Sequence, residues 1–428
     1  MKQLSAIFLT VVTLAHPASA TPPIEAAAAP LASESAIRKP DQPVAAADDA
    51  ASASPIASAV RDLLDAAAGA HVTAKARSEP EFAAADAEAL AEFYRARGGA
   101  PLWTDDAGVT ARGRALAIEI ANAAAYGLDP RAFSLPTIDG VAGAEALAST
   151  DVKLTRALLG YARHARGGRI PRPAEQLNSN LDRKPQMLAP ETVLASVTAA
   201  EDVASAVRAL HPVHQQFERL RLAYLVETAA SGDGKLSAKA RQLRANMEMW
   251  RWMWDDLGEL HIFNNIPAFM QRVVHNGVVV RNERIVVGEI GKQSSVFSRQ
   301  LKSVVLRPRW RVPESIMVHE LWPSLLKGGG LMRQHGLEIT TKTGQPRDWR
   351  SIDWSKDDIR NYHVVQPPGS RSAVGLVKFS FPSQHTIFMH DTPDKWMFNS
   401  VQRTLSHGCL RVRNPLGLAE IVLGYDKG

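Results

Sequence analysis

The apolar residues of this chain change their period near residue 259, and that change governs what it can fold into. From 61 to 255 they recur at helical spacing: Leu154, Leu158 and Tyr161; Phe217, Leu220 and Tyr224; Leu243, Met247, Trp250 and Trp254. Phe82, Leu90, Phe93 and Tyr94 mark another helix that stops at Gly98-Gly99, and Leu116 and Ile120 mark one that ends at Tyr126-Gly127-Leu128-Asp129-Pro130. Beyond 259 the apolar runs become short and rich in β-branched and aromatic residues: Ile262–Phe263, Phe269–Val274, Val278–Val280, Ile285–Val287, Val304–Leu306, Val374–Phe381 and Thr386–His390. Asn276-Gly277 between two of them is a two-residue hairpin signal. The pattern predicts a multidomain α + β protein, with an all-α scaffold domain over 61–255 and a mostly-β domain over 256–428. Residues 313–370, rich in Pro, Gly, Lys and Trp, read as an insertion into the second domain. The Met/Trp cluster at 247–254 keeps helical spacing and is expected to be core.

The N-terminus adds two further segments. Met1–Ala20 has the Lys2 n-region, the apolar run Leu4–Ala15 and the small-residue site Ala18-Ser19-Ala20 of a signal peptide. The run is too short for a transmembrane helix, which needs about 20 apolar residues. Residues 21–60 hold 14 Ala, 6 Pro and 5 Ser with no aromatic side chain, too little bulk to build a core, and they read as a disordered tether. Export is therefore expected, with no membrane span. The net charge of +6 includes no Lys/Arg block of the kind that binds nucleic acid.

The chain has one cysteine, which excludes a disulfide scaffold, a zinc ribbon and an iron–sulfur cluster. A lone thiol in an exported protein is otherwise a buried inert group or half of an intermolecular disulfide. Its neighbourhood argues for more. Cys409 follows Ser406-His407-Gly408, and His390, ahead of Asp391, ends a strand-like run upstream. A thiol nucleophile needs a base, which an imidazole at a strand end supplies together with a local positive charge. Gly408 permits a tight turn and offers N–H groups to an oxyanion. His385, His390 and His407 lack metal-ligand spacing, so no metal is expected. The chemistry points to a cysteine acyltransferase or hydrolase.

At these residues the sequence resembles the YkuD-type L,D-transpeptidases, whose signature is a His, 14–17 residues, then Ser/Thr-His-Gly-Cys. Here fifteen residues (391–405) separate His390 from Ser406-His407-Gly408-Cys409. The large periplasmic YcbB-like subgroup is the most similar. Asn265-Ile266-Pro267-Ala268-Phe269, Ser294 through Ser298, Trp310-Arg311-Val312-Pro313, Ile352-Asp353-Trp354 and Gln366-Pro367-Pro368-Gly369 look like its landmarks. Phe93-Tyr94, Pro101-Leu102-Trp103 and Gly127 through Pro130 resemble its helical scaffold. The resemblance implies a YkuD-type catalytic domain with 313–370 as a capping insertion, Cys409 as acyl-accepting nucleophile and His390 as general base. It further implies that Ser406, His407 and Gly408 line the site, that Arg411 and Asp391 are substrate-binding candidates, and that Asp391 or a backbone carbonyl orients His390.

The implied donor is a peptidoglycan tetrapeptide stem that loses its terminal D-Ala. The acceptor is an amine, on another stem to give a 3→3 crosslink or on an outer-membrane protein. No cofactor is required, the implied location is the periplasm of a Gram-negative bacterium, and carbapenems are expected to acylate Cys409. An amidase or L,D-carboxypeptidase using the same thiol, or a non-catalytic wall-binding relative, are the alternatives. The chain departs from the subgroup in three ways. Phe388 stands where many members carry Tyr, the stretch between the Phe217 and Leu243 helices is too short for a peptidoglycan-binding module, and the sequence stops at Gly428, short of further β-structure.

Overall fold

A computed structural model describes residues 8–12, 54–73, 83–230, 235–369 and 371–427. Most of the expected leader, the tether as far as 53, and Phe82 lie outside them. The described residues fall into two compact units, divided at 171/172, 183/184 and 255/256.

The first unit is helical: α1 Pro55–Thr73, α2 Ala83–Ala96, α3 Ala111–Ala121, α4 Ala144–Ala165, α5 Pro190–Ala199, α6 Val203–Arg208, α7 Gln215–Ala229 and α8 Ala238–Trp250. The α1 helix starts before residue 61, inside the stretch expected to be tether. Ile56 and Val60, one helical turn apart, are both buried, an apolar stripe that the Ala-rich composition masks. Pro55 suits the first helical position, where its missing N–H has no partner to lose. Thr110, Asp202 and Ser237 cap α3, α6 and α8 by accepting from backbone N–H groups, each worth about 1 kcal/mol. The core gathers around α4, whose Leu154, Leu158 and Tyr161 are fully buried. Met247, Trp250, Trp252 and Met253 are buried as well, although the helix ends at Trp250, ahead of Trp254. One two-stranded ladder, Thr104–Asp105 with Gly108–Val109, interrupts the helices.

A buried carboxylate ties this unit together. Asp151 in α4 accepts from the N–H groups of Leu102, Trp103 (2.7 Å) and Thr104 (2.9 Å), from the Thr104 hydroxyl and from the Tyr94 hydroxyl. Trp103 Nε1 donates to Thr155 Oγ1 at 2.9 Å, one turn further along. The scaffold landmarks Tyr94, Leu102 and Trp103 thus converge on one side chain.

The second unit is built on a curled sheet. Its strands are β1 Leu260–Asn265, β2 Met270–His275, β3 Val278–Gly288, β4 Ser298–Gln300 and β5 Ser303–Leu306, then, within and before the insertion, β6 Trp310–Arg311, β7 Glu338–Thr341, β8 Pro346–Arg347 and β9 Tyr362–Gln366. After it come β10 Val377–Ser380, β11 Met389–His390, β12 Thr404–Ser406 and β13 Leu410–Val412, and helix α9 Pro415–Lys427 follows. The order in the main sheet is β1-β2-β3-β13-β11-β10-β5, with β12 also on β3, and Phe8–Val12 pairs between β1 and β4. Asn276 and Gly277 both have positive φ, as a tight β2–β3 hairpin requires. The two expected runs at 278–280 and 285–287 are one continuous strand, because the polar stretch between them keeps pairing with β2. Thr386–Phe388 is not strand; only Met389 and His390 are. One sheet face and α9 bury Leu260, Ile262, Val273, Phe379, Met389, Leu410, Leu418 and Val422.

The insertion has a core of its own. Strands β8-β7-β9-β6 form a separate sheet, and Val312, Leu321, Leu325, Met332, Ile339, Trp354 and Val364 pack together beside it. Residues 172–183, expected in the helical domain, belong to the second unit. Val296 N–H donates to the Asn180 carbonyl at 2.7 Å, and Arg299 reaches Asp182 at 2.7 Å.

Candidate active site

Two short parallel strands bring the chemistry together. Met389 pairs with Leu410 and His390 with Arg411, and Leu410 N–H donates to the Phe388 carbonyl at 3.1 Å. Because strand side chains alternate, Met389 and Leu410 point into the core while His390 and Arg411 share the opposite face. Phe388 and Cys409, each one residue back from the buried pair, belong to that same face. Cys409 is therefore diagonal to His390 on the shared face.

Each reacting group sits in a distinct environment. His390 is buried, and its Nδ1 meets the backbone carbonyl of Asp391. A carbonyl only accepts, so Nδ1 carries the proton and Nε2 keeps a free lone pair. Burial, with the Arg411 charge second, pushes the imidazole down to about 3. The resting base is neutral, so it does not supply the local positive charge that the sequence suggested. Cys409 is half-buried, with Sγ 3.8 Å from the Thr386 carbonyl. Burial pushes the thiol up to about 11, opposed by the Phe388 N–H and by Lys378 and Arg411. The site thus rests as neutral thiol and neutral imidazole, poised for proton transfer during attack rather than stored as an ion pair.

The turn that presents the thiol is braced from both sides. Ser406 Oγ donates to the Cys409 carbonyl at 2.6 Å and accepts from Gly408 N–H at 3.2 Å. Ser294 Oγ donates to the Gly408 carbonyl at 2.6 Å and accepts from Gly288 N–H at 2.9 Å. Gly408 has φ of 110°, which other residues rarely adopt. These contacts correct two expectations. Ser406 is buried and holds the loop rather than lining the site, and the Gly408 N–H is already occupied by that hydroxyl. The Cys409 N–H, which has no acceptor among the described residues, is the remaining backbone donor for an oxyanion.

The other expected residues divide. His407 is exposed, and its Nε2 lies 2.7 Å from Glu320 of the insertion, which also meets Lys292 at 3.1 Å. It ties the turn to the insertion. Arg411 stands on the site face, where Nη1 reaches Thr392 Oγ1 (3.2 Å) and Asp394 (3.3 Å) while its Nε has no partner. The Asp391 side chain is engaged within the fold rather than turned to the site face. Its carboxylate is buried, accepts from Leu376 N–H at 2.8 Å and pairs with Lys395. A side chain on Gly375 would collide with it, so the close approach requires glycine there. The backbone of Asp391, not its acid, orients the base.

Sequence reasoning missed Lys378, Ser294 and Glu320. Ser294 lay inside a recognised landmark but carried no chemical signal of its role. Lys378 interrupts the apolar run Val374–Phe381, and its position depends on strand pairing that no local pattern displays.

The chain is similar to known proteins in its sequence. Residues 88–223 match the Scaffold domain family, and residues 259–424 match the YkuD family, the L,D-transpeptidase catalytic domain. Over 343 residues the chain is 28% identical to a Haemophilus influenzae protein named "Putative L,D-transpeptidase", covering 78% of this chain and 67% of that protein. The chain therefore joins a helical Scaffold domain to a β-rich YkuD L,D-transpeptidase catalytic domain.

Proposed function

We propose that the protein acylates Cys409 with a peptidoglycan tetrapeptide stem and passes the acyl group to an amine, making 3→3 crosslinks. The observation that carries this reading is the shared sheet face of Cys409 and His390, with Nδ1 held by the Asp391 carbonyl. His390 Nε2 takes the thiol proton as Sγ attacks the carbonyl of the third stem residue. The Cys409 N–H faces the oxygen as it becomes negative. The imidazolium then returns its proton to the amine of the departing D-Ala, leaving a thioester. An incoming amine loses a proton to the same nitrogen and displaces Sγ. Arg411 stands on the same sheet face beside this path, and its guanidinium suits a stem carboxylate.

Incubation with disaccharide-tetrapeptide tests the reading: D-Ala and a crosslinked dimer are expected, and neither from Cys409→Ala. A product carrying an added water and no dimer would identify a hydrolase instead. Mass shift of the intact protein by a carbapenem, absent in Cys409→Ala, reports the acylation step alone. We place the mature protein in the periplasm, on the strength of the Met1–Ala20 pattern. Cleavage after Ala20 would remove Phe8–Val12 and open the β1 edge. N-terminal sequencing of periplasmic material checks this, with Thr21 as the expected first residue.

A further inference from the structure

Strand β10 carries a cation onto the site face. Its burial alternates: Val377 and Phe379 are fully buried in the core, whereas Lys378 and Ser380 are half-buried on the other side. Lys378 pairs with His390, which pairs with Arg411, so one row across three strands reads Lys378, His390, Arg411. The lysine does not point straight out from this row. Its Nζ lies 4.1 Å from the centre of the Phe388 ring, the neighbour of Cys409 in the adjoining row. Phe388 and His390 rings are themselves 5.4 Å apart. Phe388 is thus a shelf that aims the ammonium diagonally toward the thiol, since a cation within about 6 Å of an aromatic face is attracted to it.

The other cations around the site are differently engaged. Arg411 reaches Asp394 at 3.3 Å, and Lys395 pairs with Asp391. Among the described residues Lys378 meets no carboxylate. A half-buried ammonium beside a half-buried thiol and a neutral imidazole is an uncompensated charge, and a thiolate at Cys409 is the anion that would compensate it.

We propose that Lys378 is a positioning residue of this site: its ammonium, braced on the Phe388 ring, is the fixed positive charge against which the Cys409 thiolate forms. The proposal rests on the reading of Cys409 as nucleophile. Burial alone raises the thiol, and Lys378 is the foremost of the side-chain charges that oppose the rise, ahead of Arg411. The proton itself goes to His390 Nε2, so Lys378 takes no part in the transfer.

The rate at which iodoacetamide alkylates Cys409, followed from pH 7 to 11 by intact mass, reads the thiolate directly, because only the thiolate displaces iodide. Lys378→Met is expected to slow alkylation about tenfold at pH 8.5 and to move the profile to higher pH. Lys378→Arg keeps the charge and is expected to restore most of the rate. Phe388→Leu removes the shelf while leaving the lysine, and a loss of about threefold is expected from the weaker placement. Circular dichroism and the melting temperature confirm that each variant is folded. A Lys378→Met profile that superimposes on wild type overturns the proposal, as does a folded Lys378→Arg that reacts no faster than Lys378→Met. Alkylation that depends on Lys378 in a protein releasing no D-Ala from tetrapeptide would defeat the transpeptidase reading and leave this one standing. D-Ala release with no dependence of alkylation on Lys378 would do the reverse.

Discussion

The two units each bury a polar cluster, and they treat it in opposite ways. In the helical unit Asp151 is surrounded by donors: three backbone N–H groups and two hydroxyls converge on one carboxylate. In the β-rich unit His390 has a partner at Nδ1 only, and Cys409 has a distant carbonyl. A carboxylate whose lone pairs are filled holds chain segments together and has no capacity left for chemistry. An imidazole nitrogen and a thiol left short of partners destabilise the fold slightly but keep their reactive lone pairs free. Saturation marks the structural cluster, and its absence marks the chemical one.

Substitutions break this contrast in a definite order. Cys409→Ala removes the nucleophile and is expected to reduce D-Ala release by more than about a thousandfold, with the melting temperature nearly unchanged. Next comes acid stability. The folded His390 titrates at about 3 and the unfolded imidazole near its ordinary 6.5, so the neutral ring contributes stability that is complete above that upper value. It is lost as pH falls through about 3, a change on the order of 3–5 kcal/mol. His390→Gln should lack this part of the acid limb, which urea midpoints measured between pH 7 and 3 would reveal. Asp151 titrates with the other sign, since burial raises its carboxyl above the usual carboxylate value. Its contribution is present at low pH and is lost as pH rises through the raised value.

Removing the saturated cluster comes third. Asp151→Ala strands the N–H groups of Leu102, Trp103 and Thr104 in a buried site, and about 3 kcal/mol of stability should disappear. Hydrogen exchange at α4 amides is the readout, and Cys409 alkylation should stay as in wild type. The smallest effect is expected from Asp391→Asn. The amide still accepts from Leu376 N–H, and only the ion pair with half-exposed Lys395 is lost, under about 1 kcal/mol. D-Ala release should survive, because the backbone carbonyl that orients His390 is untouched; a loss comparable to that of Cys409→Ala would assign the orienting role to the acid.

Much of this was legible in the residues. Helical spacing in 83–250 and β-branched runs after 259 reported which faces become buried, and those periods are properties of the chain itself. The start of α1 escaped notice because Ala, Pro and Ser describe a tether by composition, and before residue 61 Ile56 and Val60 are the large apolar residues of its buried stripe. The strands of and beside the insertion were not legible because they are only two to five residues long. The Ser-His-Gly-Cys turn was visible, yet its members proved to do different things. Ser406 braces, His407 reaches Glu320 and Gly408 supplies the turn, because hydrogen-bond partners are chosen by distant segments.

Local chemistry singled out the thiol, the imidazole and the glycine and separated two folding periods, since residue type and spacing are inscribed in the chain. Strand register decided the rest. Setting Met389 against Leu410 places Cys409 beside Phe388 and one row from His390, and a slip of one residue would turn the thiol into the core. That same register brings Lys378 onto the site face from a strand whose own sequence announces only burial. Pairing energies between strands far apart in sequence select this arrangement, and they exist only once the sheet has closed around its core.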